Sequence, residues 1–110
     1  MSTLTVTSTS RAGVTAAPVA ASGGGDEFAN DGRTLVEVVN GGGGPITVHL
    51  DIKPTVDGGT VVDRDVVVNA GARKRIGPFP TQIYNDPETG LAKLTYSGVV
   101  SVTVEAFQGF

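Results

Sequence analysis

The sequence predicts an all-β domain, a small antiparallel β-sandwich or β-barrel of jelly-roll-like build, carrying an extended N-terminal arm. Three observations predict it. Sixteen glycines and six prolines punctuate short runs rich in Val and Thr, the pattern of strands joined by tight turns. Two of the later runs alternate strictly between apolar and polar residues, as strands with one buried and one wet face do. No stretch holds helical spacing long enough to predict a helix.

The elements follow in chain order. Residues 1–27 are assigned to the arm and 28–110 to the β domain. Residues 1–25 are almost entirely Ser, Thr, Ala, Gly and Val, with Arg11 their one charge. "LTVTSTS" (4–10) alternates enough to extend as a strand, while Gly13 and Pro18 preclude a long helix. Such a segment suits an arm lying on a partner's surface or, in an isolated monomer, a disordered tail. "TLVEVVN" (34–40) is a β-branched strand that turns at Asn40-Gly41, and "GGGGP" (41–45) can continue neither strand nor helix. "ITVHLDIK" (46–53) places Ile46, Val48, Leu50 and Ile52 on one face. "VDGG" (56–59) signals a hairpin, because Asp-Gly supplies the positive φ of a two-residue turn. "TVVDRDVVVNAG" (60–71) reads as two short strands or one bent strand. "DPETG" (86–90) is a further turn. Finally "LAKLTYSG" (91–98) puts Ala92, Leu94 and Tyr96 on one face, and "VVSVTVEAF" (99–107) does the same with Val100, Val102, Val104 and Ala106.

Length and charge bound the function. The 110 residues make one domain, which at this size buries roughly 65% of its unfolded surface. The arm leaves about eighty residues for the core, a size at which partners commonly supply missing burial. No cysteine is present to form disulfides or thiolate zinc sites. The N-terminus lacks a charged segment followed by an unbroken apolar run, and no stretch reaches bilayer length. The expectation is a chain used without secretion by that route and without a membrane. The net charge of −3 disfavours general attraction to nucleic acid.

Candidate chemistry is sparse. "ARKRIGPFP" (72–80) gathers three of the eight cations, Arg73, Lys74 and Arg75. Nucleic-acid binding would normally add cations on the same face and aromatic platforms. The first expectation is therefore an edge strand whose cations block sheet-to-sheet aggregation. A contact with carboxylates of a protein partner comes second, and nucleic acid a distant third. Phe79, between two prolines, reads as a corner-packing residue. His49 is the one histidine and has no second imidazole or thiol for zinc. The aspartates at 57, 63, 65 and 86 and Glu88 lack calcium-loop spacing. "GGGGPI" lacks the Lys-Ser/Thr and the helix of a phosphate loop. No catalytic constellation emerges, and neither a cofactor nor a metal is expected.

Laid out in order, "RAGV", "NDGR", the Val-rich hairpins, "IGPFP", "IYND" and "LTYS" resemble the small decoration, or cement, proteins of tailed-bacteriophage capsids, over roughly residues 11–107. The resemblance implies a non-enzymatic virion protein, often a trimer, that binds the major capsid protein on the capsid exterior and stabilises the shell. On that reading, Leu4, Thr5, Val6, Arg11, Val14 and Val19 of the arm, with Arg73, Lys74 and Arg75, are the partner contacts. A head–tail or tail-associated protein is the nearest alternative. A carbohydrate-binding β-sandwich on the virion surface is the other, although the chain has no Trp and only two Tyr for sugar stacking.

Overall fold

The strongest alternating runs become the central strands of two five-stranded sheets. The structure, a computed structural model, describes residues 2–51, 55–56, 59–60, 64–86 and 89–108, with backbone alone at 55, 56, 59, 60, 82 and 83. The first sheet holds, in spatial order, β1 (Ser2–Leu4), β4 (Asp26–Ala29), β11 (Leu91–Tyr96), β6 (Ile46–Leu50) and β9 (Arg64–Val68). The second holds β10 (Arg73–Ile76), β5 (Thr34–Asn40) and β12 (Val102–Gln108). The far edge of β12 is shared by β2 (Val6–Ser8) and β3 (Val19–Ala20). A separate pair, β7 (Thr55–Val56) with β8 (Gly59–Thr60), flanks the hairpin read at Asp57-Gly58. Those two residues, like Ile52, Lys53, Asp63 and Glu88, lie outside the described residues.

Every second residue of the long strands enters one shared core. Val36 and Val38 of β5 and Val102, Val104 and Ala106 of β12 meet Phe28, Val48, Leu50, Val68 and Leu94 from the other sheet. The molecule measures 40 × 36 × 19 Å, and two sheets stacked about 10 Å apart, with their outer side chains, fill the short dimension.

Two buried asparagines close the ends. Asn40 donates from Nδ2 to the Gly44 and Val68 carbonyls (2.8 and 3.0 Å) and accepts from the Gly42 amide at 3.0 Å. It thereby folds the glycine run back onto the sheets. Asn30 and Asn85 form a reciprocal clasp: Asn30 Nδ2 donates to Asn85 Oδ1 and the Phe79 carbonyl, and Asn85 Nδ2 donates to the Asn30 and Gly90 carbonyls. Phe79 fills the corner between Phe28 and Tyr84, with ring centroids 5.4 and 5.3 Å away. Gly77 makes this turn possible. Its φ is +125°, and a Cβ there would lie 3.0 Å from the Leu35 side chain and 3.1 Å from the Thr34 carbonyl.

Four readings need correction. The sheets are mixed rather than antiparallel throughout, because β1 runs parallel to β4 and β2 parallel to β12. The N-terminal segment is accordingly not a free arm along its whole length. Leu4, only 5% exposed, is a core residue, and the unpaired edges of β4 and β12 hold the polar strands on either side of it. "TQIY" forms one helical turn, α1 (Thr81–Tyr84), closed by Tyr84 N–H to Pro80 and Asn85 N–H to Thr81. Val100 does not join the inward row of β12. It lies in a turn with Ser101 at φ 58°, and is 82% exposed.

Candidate partner-binding surface

The outward residues of the second sheet form the most elaborated surface. Across β10, β5 and β12, the Cα register sets Arg75 opposite Glu37 and Glu37 opposite Glu105, while Phe107 lies opposite Leu35 on one side and Thr7 on the other. These residues alternate with the buried ones, so they face away from the core. Glu37 accepts from Arg75 Nε at 2.9 Å and meets Arg73 Nη1 at 3.5 Å. Two carboxylates directly opposite each other repel. The two guanidiniums offset this on one side, and on the other the Ala17 amide donates to Glu105 Oε2 at 2.6 Å.

That amide belongs to a strap. From Ser8 to Ala20 every residue is exposed, yet both ends are fixed on β12, by β2 at Ala106–Gln108 and by β3 at Thr103–Val104. The strap crosses the outer face and leaves a cleft of about 260 Å³, walled by Val14 and Thr15 above and by Glu37, Glu105 and Phe107 below. A second cavity of about 270 Å³, on the Leu4 and Val104 side, shares Thr7 and Glu105 with it.

The residues singled out in the sequence fall into three groups. Leu4 is buried and unavailable to a partner in this fold, and Val6 is half-buried. Thr5, Arg11, Val14 and Val19 are exposed, the two valines at 47% and 51%. Arg73, Lys74 and Arg75 lie on β10, an edge strand of its sheet, with Arg73 and Arg75 turned onto Glu37. The cations thus serve as an edge, and two of them also neutralise a carboxylate that belongs to a distant part of the chain.

Other titratable groups are engaged locally. His49 Nδ1 lies 2.6 Å from Asp65 Oδ1 across β6 and β9, at the surface. Arg33 donates to Asp31 and holds its carboxyl below the usual range. Tyr96 donates its hydroxyl to Asp26 Oδ2 at 2.7 Å, and burial, then that carboxylate, push the phenol well above its ordinary range. Among the described residues, no three His, Asp or Glu side chains converge as a metal site. The sequence reading missed Glu37, Glu105 and Phe107, whose one signal was their outward place in the alternation of β5 and β12. Comparison with protein-family models, curated proteins and solved structures finds no match.

Proposed function

We propose that this chain is a non-enzymatic structural protein of a tailed-phage virion, binding the major capsid protein on the outer surface of the capsid and stabilising the shell. The observation that carries this reading is the strap: an exposed run whose one charge is Arg11, pinned at both ends to the same strand. Pinning lowers the conformational entropy lost when such a segment docks, and a segment without carboxylates suits seating on a protein surface. Arg11, Val14 and Val19 are its contact residues, and Lys74, exposed on the β10 edge, is a separate charged contact. The fold is proposed to be a jelly-roll-like sandwich; the place of β11 between β4 and β6 is a Greek-key crossover, which such a sandwich shares with other β-sandwiches. Trimeric assembly at capsid subunit junctions belongs to the same proposal. Weak individual contacts add up on a lattice, because the intact shell is the state that presents every site.

Deleting residues 1–20 would also remove Leu4 from the core, so substitutions in the strap provide the cleaner test. Arg11→Glu with Val14→Asp should abolish binding to purified shells while leaving thermal stability unchanged. Copy number in purified virions gives the location: near parity with the major capsid protein fits a shell-wide coat. A handful of copies moves the chain to the portal or tail, and complete absence refutes the virion reading.

A further inference from the structure

We propose that the cleft beneath the strap is a binding site for a neutral saccharide. The inference is independent of the capsid reading. It rests on what the cleft contains and on how its charges are disposed. The lining carries two carboxylates, Glu37 and Glu105, and two guanidiniums, Arg73 and Arg75, which sum to zero. A phosphate or acidic sugar entering it would meet the carboxylates, and an amine would meet the guanidiniums. A neutral polyol meets both as hydrogen-bond partners, since hydroxyls donate and accept.

The polar groups available are of the required kinds. Glu105 spends one oxygen on the Ala17 amide, and Oε1 remains to accept. The hydroxyls of Thr7, Thr9 and Thr15 add donors and acceptors at the rim. Arg73 and Arg75 each bring more N–H donors than Glu37 occupies. Phe107 supplies an aromatic surface on the floor and Val14 an apolar wall, matching the mixed apolar and hydroxylated faces of a pyranose ring. The volume of about 260 Å³ falls just below the range of drug-sized sites and suits a single ring of a longer glycan. The neighbouring cavity is lined by Leu4, Val19, Val104 and Ala106 along with three threonines and Glu105, without a guanidinium, so the charge-balanced subsite is the one under Val14 and Thr15.

The test uses the full chain, with maltohexaose, cellohexaose and chitohexaose as neutral probes and oligogalacturonate and inorganic phosphate as charged ones, followed by amide chemical shifts. At least one neutral probe should shift the amides of Thr7, Thr15, Ala17 and Phe107, with a Kd on the order of 1 mM. Phe107→Ala should weaken binding about tenfold through loss of the aromatic floor. Thr15→Tyr fills the cleft from the exposed strap without touching the core, and should abolish binding in a folded protein. Glu105→Gln retains an acceptor for Ala17 and should weaken binding less than Phe107→Ala. No shift with any neutral probe at about 20 mM, shifts confined to other surfaces, binding of the charged probes alone, or binding undiminished in Thr15→Tyr would each overturn the proposal. A chain found on every capsid but blind to all glycans would sink this inference and leave the structural reading intact.

Discussion

Replacing Asn40 should be among the most damaging polar substitutions in the protein, and the order of two variants tests the reason. Asn40 is fully buried, and its side chain makes three hydrogen bonds, to Gly44, Val68 and Gly42. Asn40→Ala removes all three. The Gly44 and Gly42 groups lie where water can reach, so each lost bond there costs about 1 kcal/mol net, whereas the Val68 carbonyl is stranded in the core at about 2 kcal/mol. The sum is about 4 kcal/mol, or about 15 °C in Tm for a domain of this size. Asn40→Asp keeps the shape and the acceptor for Gly42. It also places a second oxygen where Nδ2 donated, facing two carbonyl oxygens at 2.8 and 3.0 Å. An ionised carboxyl there is disfavoured, so its folded pKa rises above the unfolded value and the variant is penalised at neutral pH. As pH falls the group takes up a proton and can donate to one carbonyl, and the deficit shrinks. Urea denaturation followed by circular dichroism, at pH 7 and pH 4.5, measures both effects. The expected order at pH 7 is wild type, then Asn40→Ala, then Asn40→Asp, with the gap between the variants narrowing at pH 4.5. An Asn40→Ala variant within 1 kcal/mol of wild type, or Asn40→Asp equal to it at pH 7, would refute the account of how the glycine loop is held.

Two further outcomes are expected. The Tyr96 phenol stays protonated in the folded protein while the unfolded chain releases that proton near pH 10, so stability is intact below pH 10 and declines above it by about 1.4 kcal/mol per pH unit. Tyr96→Phe should remove that part of the alkaline decline in denaturation curves between pH 9 and 11.5, and parallel curves for the two proteins would contradict it. Leu4→Ala should cost about 2–3 kcal/mol, because Leu4 lies in the core; a change under about 0.5 kcal/mol would mean that the N-terminal segment is not docked in solution.

The framework was legible because β5, β6, β11 and β12 alternate strongly, and alternation is a local signal of a half-buried sheet. The N-terminal strands were not legible. β1 and β2 hold one large core side chain between them, and their pairing depends on edges offered by β4 and β12, the latter about a hundred residues away. α1 is too short for a helical period to register, and Val100 left its row because the turn at Ser101 outweighed the alternation. The edge character of "RKRI" could be read from its charge alone. Its partner Glu37 could not, since Arg75 meets it 38 positions away. The cleft was invisible for the same reason: its lining is gathered from the strap, β2, β5, β10 and β12, segments far apart in the chain.

Three of the motifs behind the resemblance hold the fold, whereas "RAGV" lies on the exposed strap. "NDGR" contains Asn30 and the Asp31–Arg33 pair, "IGPFP" contains Gly77 and Phe79, and "IYND" contains Tyr84 and Asn85; the clasp and the aromatic corner bring Asn30, Phe79, Tyr84 and Asn85 into one cluster. Residues that close such a corner answer to steric and hydrogen-bonding demands, so a resemblance carried by them does not by itself carry a function. Function has to be carried by positions the corner leaves free. Those are the strap residues, whose identities the core does not constrain, and the charged row Arg75–Glu37–Glu105, which a solvent-facing sheet does not require for stability. Both lie on the outer face of the second sheet. Substitutions there should separate binding from folding, whereas substitutions in the corner should impair the two together.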